Sequence, residues 1–194
     1  MASFTENEIK VINFLIRNFT ERYSINQISK KLRISPMGCY KILKKLETKE
    51  VVKYEKIGNA QFYFVDLKTP FSVKIAELAL TGEKNDPITE VFRDDIAPLK
   101  EITKAVMVFG SFAENPKNAN DIDLLILLEN ANYKKIRVEI DKLNKISPKE
   151  IHPLFQTEED FKKNIKEKDK VVLNILSKGY ILWGSEYIVK GLIT

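Results

Sequence analysis

Cysteine is almost missing from this 194-residue chain, and Cys39 is its single copy. A lone cysteine closes no intrachain disulfide and builds no cysteine-based zinc site. Long apolar runs are missing too. The longest, such as Leu124 to Leu128, fall far short of the roughly 18 residues that mark a membrane-crossing helix. The opening Met1-Ala2-Ser3-Phe4-Thr5-Glu6 has neither the basic nor the apolar region of a secretory leader. These absences together predict a cytoplasmic protein with no membrane partner. What is present suffices for a core: 44% of residues are hydrophobic, more than a disordered chain carries. The length suits one large domain or two small ones.

Charge is unevenly placed. The net charge is +5. From Met1 to Asp66 there are 12 Lys/Arg and 7 Asp/Glu, so the first third carries the whole excess and the remainder is balanced. A basic module joined to a neutral one is the footprint of a nucleic-acid-binding domain with a partner domain. A solvated lysine-rich surface gives the same count, so charge alone does not choose.

Local patterns resolve the first third. Thr5-Glu6-Asn7-Glu8 reads as a capping box. Ile12, Leu15, Ile16 and Phe19 follow at helical spacing, giving a helix that ends near Asn18. Ser24-Ile25-Asn26-Gln27 opens a second, short helix, with a break at Arg33-Ile34. Ser35 caps a third, with Pro36 at the first position, where its missing N–H costs nothing. Its predicted buried face is Cys39, Ile42, Leu43 and Leu46; Ser35, Met37, Tyr40, Lys41, Lys44 and Lys45 lie opposite. Val51 to Lys56 and Gln61 to Val65 are β-rich runs around Ile57-Gly58-Asn59-Ala60, a predicted hairpin.

Three helices and a hairpin make the winged-helix order. The stretch from Ser35 to Glu47, running into Val51-Val52, resembles the recognition helix and wing of MarR/ArsR-type regulators. That resemblance implies double-stranded DNA as partner, and a homodimer. Lys41, Lys44, Lys45, Lys53 and Lys56 are the phosphate-neutralising candidates. Ser35, Met37 and Tyr40 are candidates for base edges, with Gly38 beside them. None is an Arg, Asn or Gln, so direct readout is expected to be modest. Winged helices that bind only proteins are the competing reading. Cys39, on the apolar side, reads as a core residue.

The domain limits are read as 1–66 for the winged helix, 67–87 for a linker with a connecting helix, and 88–194 for a second domain. Pro70, Val73, Ile75, Ala76, Leu78 and Ala79 carry that helix, and the polar break Thr81 to Pro87 follows it. Its apolar face serves either dimerisation or packing on its own wing.

In the second domain, Val106-Met107-Val108-Phe109 reads as a buried strand running into Gly110-Ser111, then a polar loop from Phe112 to Asn120. Asp121-Ile122-Asp123 opens a second strand, so both carboxylates point to one face. Adjacent carboxylates call for a cation, and oxygen ligands completed by water and phosphate suit Mg²⁺. Gly110 lets backbone approach a phosphate, and Ser111 offers it a hydroxyl and an N–H.

Gly110-Ser111 followed by Asp121-Ile122-Asp123-Leu124-Leu125 resembles the signature of the DNA polymerase β-like nucleotidyltransferases, particularly minimal archaeal and bacterial members. Leu173 to Gly184 resembles the helix, glycine stop and short strand that close archaeal members. The resemblance implies transfer of a nucleoside monophosphate from a nucleoside triphosphate, ATP first, to an acceptor. Asp121 and Asp123 would hold Mg²⁺, Gly110 and Ser111 the phosphates, and Glu150 would be the third carboxylate and base. A strand-start surface role for Glu150 stays open, as does a packed or surface role for His152. Glu114 stands where many minimal members have a basic residue. The implied functions are therefore a tethered transferase, a regulator that senses nucleotide without turnover, or an antitoxin whose protein acceptor is a toxin partner. The predicted fold class is α+β: a winged helix-turn-helix, then a mixed sheet with flanking helices.

Overall fold

The computed structural model describes residues 3–81 and 87–193. The chain forms two units, Met1–Ala79 and Leu80–Thr194.

The first unit begins with α1 (Glu6–Arg17). Thr5 and Glu8 close the expected capping box: the Thr5 amide donates to Glu8 Oε2 at 2.7 Å, and the Glu8 amide to Thr5 Oγ1 at 3.3 Å. A strand of two residues, β1 (Tyr23–Ser24), precedes α2 (Ile25–Leu32), which Ser24 and Gln27 cap in the same reciprocal way. Arg33 adopts left-handed backbone (φ 54°) and ends α2. Next comes α3 (Pro36–Thr48), with Pro36 in its first turn. The wing is β2 (Val52–Ile57) and β3 (Ala60–Val65), antiparallel and turning at Gly58-Asn59. The sheet order is β1-β3-β2. β1 escaped sequence reading because two residues show no alternation; it exists through pairing with Tyr63 and Phe62.

The core of this unit is Val11, Ile12, Leu15, Ile28, Cys39, Leu43, Leu46, Val51, Val52, Tyr63 and Ala79. Ala79 belongs to α4 (Pro70–Leu80), the connecting helix. Asn13 donates a side-chain hydrogen bond of 2.5 Å to the Ala79 carbonyl. The helix assigned to the linker thus packs with the winged helix, because Ala79 lies in that core and Ile75 packs against it. Most of the polar break expected next, Gly82 to Asp86, lies outside the described residues.

The second unit opens with α5 (Pro87–Asp95) and a 3₁₀ turn at Ala97–Leu99. Its sheet contains β4 (Ala105–Phe109), β5 (Asp121–Leu127), β6 (Glu150–Gln156) and β7 (Tyr180–Trp183), in the order β6-β5-β4-β7. β5 and β6 are parallel; the other pairs are antiparallel. The parallel pair needs a crossover, supplied by α7 (Tyr133–Ile146). Ile136, Ile140 and Leu143 of α7 are buried, whereas Val138 is exposed. A helix drifts about 100° per residue, so Val138 falls outside the stripe that Ile136 and Ile140 define. The stretch read as a loop starts instead as α6 (Gly110–Glu114), because Phe112 and Ala113 are buried in the sheet's core. Phe92 of α5 meets Phe112 edge-on, with ring centroids 5.3 Å apart. The chain closes with α8 (Glu158–Lys166), α9 (Lys170–Lys178) and α10 (Ser185–Leu192). Gly179 stops α9 where a Cβ would come within 2.6 Å of the Val108 carbonyl. Among the described residues, no helix is long and apolar enough to cross a membrane.

Candidate functional site

Two strands and one glycine build the site in the second unit. Phe109, last in β4, pairs across the sheet with Asp123 in β5. The next residue, Gly110, has φ +68°. A Cβ there would lie 2.1 Å from Asp123 Oδ2. Any side chain at this position is therefore excluded twice, by backbone conformation and by the carboxylate. The exposed Gly110-Ser111 backbone then runs directly beside Asp123.

Alternation along β5 turns Asp121 and Asp123 to one face, while Ile122 and Leu124 enter the core on the other. The parallel register sets Glu150 beside Asp121 and His152 beside Asp123. Asp121 is the hub. Its Oδ1 is 3.5 Å from Ser111 Oγ, and its Oδ2 is 3.6 Å from His152 Nδ1. His152 Nε2 is 3.5 Å from Glu150 Oε2. The Glu150 side chain is 72% exposed, at the solvent end of this row.

Electrostatics single out Asp123. Its carboxyl is raised above the ordinary aspartate range, first by burial and then by the charge of Asp121; His152 opposes the shift. The ionised pair is thus held under repulsion that a cation would relieve. Two neighbouring carboxylates, with the Asp121 side chain 41% exposed, fit Mg²⁺, which keeps several waters and takes only one or two protein carboxylates. Among the described residues, no three His, Cys, Asp or Glu side chains form a closed metal-holding group. Glu150 therefore lies in the same row as the aspartates without completing a three-ligand centre. Lys149, which the sequence reading passed over, donates to the Ala119 carbonyl and ties the start of β6 to the segment before Asp121. No spacing rule announces that contact. Glu114 is exposed at the end of α6.

The first unit carries the second candidate surface. Met37 and Tyr40 are exposed on α3, at 64% and 44%. Ser35 turns back onto its own helix, its Oγ accepting the Gly38 amide at 3.1 Å. The lysines divide into two sets. Lys44 pairs with Glu47 at 2.7 Å, Lys45 with Glu8 at 2.7 Å and Lys53 with Asp66 at 2.6 Å. Glu8 and Asp66 are buried, so Lys45 and Lys53 are bound to the fold. Lys53 is raised above the usual lysine range by its hydrogen bond to Asp66. Burial pushes the Glu8 carboxyl up, but the Lys45 ammonium and the Thr5 amide outweigh it and hold it below its ordinary value. Lys41 and Lys56 are exposed, with no carboxylate partner among the described residues. Lys30, Lys31 and Arg33 at the end of α2 are exposed as well. The sequence reading passed over them, although three cations in four residues before α3 stand out. Cys39 is fully buried, and burial pushes its thiol up to about 11. It stays protonated and unreactive.

Comparison with known proteins follows the same division. Residues 94–186 match the polymerase beta nucleotidyltransferase family, and residues 4–53 match a winged helix-turn-helix DNA-binding family. Among solved structures, the chain is similar to ZitR of Lactococcus lactis, a zinc-responsive MarR family member, at 20% identity over 52% of this chain and 76% of that one, with a TM-score of 0.33. A ZitR variant in complex with DNA gives 22% identity over 51% and 75%, with a TM-score of 0.31. No curated protein matches the chain.

Proposed function

We propose that this chain, which joins a winged helix-turn-helix domain to a polymerase beta-type nucleotidyltransferase domain, transfers a nucleoside monophosphate from a nucleoside triphosphate, ATP first, to an acceptor, and that its winged helix carries the activity to double-stranded DNA. The observation that supports this reading best is the contact of Gly110 with Asp123. A glycine locked at φ +68°, with a carboxylate where its Cβ would be, keeps backbone and both aspartates open to a triphosphate.

In this reading Asp121 and Asp123 hold Mg²⁺, and the Ser111 hydroxyl and the Gly110-Ser111 backbone orient the β- and γ-phosphates. The bound ion supplies charge stabilisation to the attacking and leaving oxygens of an in-line displacement. The acceptor oxygen bonds to the α-phosphorus, the bond to pyrophosphate breaks, and Glu150 takes the acceptor proton. Lys41 and Lys56, with Lys30, Lys31 and Arg33, neutralise phosphates of the duplex.

A second reading rests on two observations: no three-ligand group closes among the described residues, and Glu150 is largely in solvent. A nucleotide-sensing regulator needs binding without turnover, and these features suit it. Calorimetric titration with ATP, GTP, CTP and UTP, with and without Mg²⁺, separates the two when the same samples are examined by mass spectrometry. Mg²⁺-dependent binding with pyrophosphate release or an added nucleotide mass supports the transferase, and the mass identifies whether the acceptor is a protein, as an antitoxin role requires. Binding without turnover across added DNA, RNA and protein acceptors supports the sensor. Absence of binding overturns both.

A further inference from the structure

The outer face of α3 is short of polar groups that read bases. Between Ser35 and Thr48 there is no Arg, Asn or Gln, the side chains that make two-pronged contacts with guanine or adenine. The remaining polar groups are largely committed. Ser35 caps its own helix through Gly38. Lys44 is held by Glu47 and lies over the Tyr54 ring. Lys45 is held by buried Glu8. What the first half of α3 presents to solvent is Met37, Tyr40 and Lys41.

Met37 and Tyr40 are three residues apart and share one face, so their Cβ atoms lie about 5–6 Å apart. That separation spans roughly two base steps of a duplex. The amino-terminal part of a recognition helix is the part that meets base edges. One group in the major groove matches an apolar side chain: the C5-methyl of thymine. Methionine suits this contact, because its unbranched thioether adapts to a small apolar knob. Lys41 follows Tyr40 directly, and Lys30, Lys31, Arg33 and Lys56 are exposed in the same basic third of the chain. Charge complementarity therefore favours a polyanion over an apolar protein groove as the occupant.

We infer that Met37 and Tyr40 set sequence preference by packing against thymine methyl groups in the major groove, with Lys41 fixing the adjacent phosphate. The inference rests on DNA as the partner of the winged helix. It makes recognition a matter of methyl burial, not of hydrogen-bonded base readout.

The experiment uses the full chain and a random-sequence duplex library. Duplexes retained by the protein are sequenced, and each enriched thymine is then replaced by uracil, which removes the methyl and nothing else. Thymine is expected at one or two adjacent positions per binding half-site. Each uracil should weaken wild-type binding about fourfold, the value of one buried methyl group. Met37→Ala should lose most of the uracil effect at one enriched thymine and keep it at the other, while its melting temperature stays at the wild-type value because the residue is exposed. Tyr40→Ala tests the second contact in the same way. Lys41→Ala should weaken all duplexes alike and keep the uracil effect. Equal wild-type affinity for thymine and uracil duplexes overturns the inference and leaves DNA binding standing. So does an undiminished uracil effect in both Met37→Ala and Tyr40→Ala. Failure to bind any duplex at low salt overturns the DNA reading itself.

Discussion

The two units treat buried charge in opposite ways. In the winged helix, the buried carboxylates Glu8 and Asp66 are each clasped by a lysine. In the second unit, Asp121 and Asp123 stand side by side, and the Asp123 carboxyl is raised first by burial and then by the charge of Asp121. The first arrangement spends its electrostatics on holding helices and wing together. The second keeps repulsion in the folded state, where a ligand cation can relieve it. Surface lysines in the first unit are therefore poor guides to DNA contact until their partners are known, whereas neither aspartate is paired with a lysine or arginine among the described residues.

The sharpest break of this comparison is Gly110→Ala. The new Cβ would collide with Asp123 Oδ2 and force strained backbone. Nucleotide binding should fall about 100-fold or more, which is about 3 kcal/mol. Melting should drop by the roughly 1–3 kcal/mol of a residue forced into unfavourable backbone. Duplex affinity should stay within twofold. Calorimetry and a DNA titration on the same preparation check both halves, and equal loss of both would mean that the units do not act separately.

Next is the pair Asp121→Asn with Asp123→Asn. Mg²⁺-dependent nucleotide binding should vanish, yet without metal the variant should melt higher than wild type, by an amount corresponding to about 0.5–1 kcal/mol. The sign of the pH dependence is set by Asp123. Its folded-state pKa lies above the unfolded value, so its ionised form destabilises the fold above that pKa. As pH falls through the raised value toward the ordinary aspartate range, wild type regains this stability. The gap between Asn variant and wild type should close, and the melting shift given by Mg²⁺ should shrink with it. Melting curves from neutral pH downward test this, and a gap that widens in acid would show that Asp123 is stabilised rather than strained.

These cases also mark what could be read from residue order. Gly110-Ser111 and Asp121-Ile122-Asp123 were legible because local rules govern them: a strand's period of two places both carboxylates together, and glycine precedes a turn. The capping boxes at Thr5 and Ser24 were legible for the same reason. The Lys45–Glu8 and Lys53–Asp66 pairs were not, since each joins residues distant in sequence through a packing arrangement that no period encodes. α6 was hidden by its polar neighbours Asn115, Asn118 and Asn120, although Phe112 and Ala113 are what the core requires. β1 is visible only through its partner strand. The row Asp121, His152, Glu150 needed the register of β5 against β6, which a one-residue slip would have turned to the other face.

A smaller but more discriminating contrast sets Lys45 against Lys41, four residues apart on α3. Lys45→Ala leaves the Glu8 carboxylate buried without its ammonium, and an unsatisfied buried polar group costs about 1–3 kcal/mol. The lower end is expected because the Lys45 side chain is half exposed and the Thr5 amide still donates to Glu8. Lys41→Ala removes no partner and should leave melting unchanged. In DNA titrations across salt the order reverses. Lys41→Ala should reduce the salt slope by about 1, as loss of one phosphate contact does, and Lys45→Ala should leave the slope near wild type. Acid deepens the distinction. Glu8 is held below its ordinary value, so its contribution is present above the unfolded pKa and lost as pH falls through the folded one. The melting penalty of Lys45→Ala should therefore fade in acid. If Lys45→Ala instead lowers the salt slope while melting like wild type, the lysine reaches for phosphate, and the first unit's charges are as available to a ligand as those of the second.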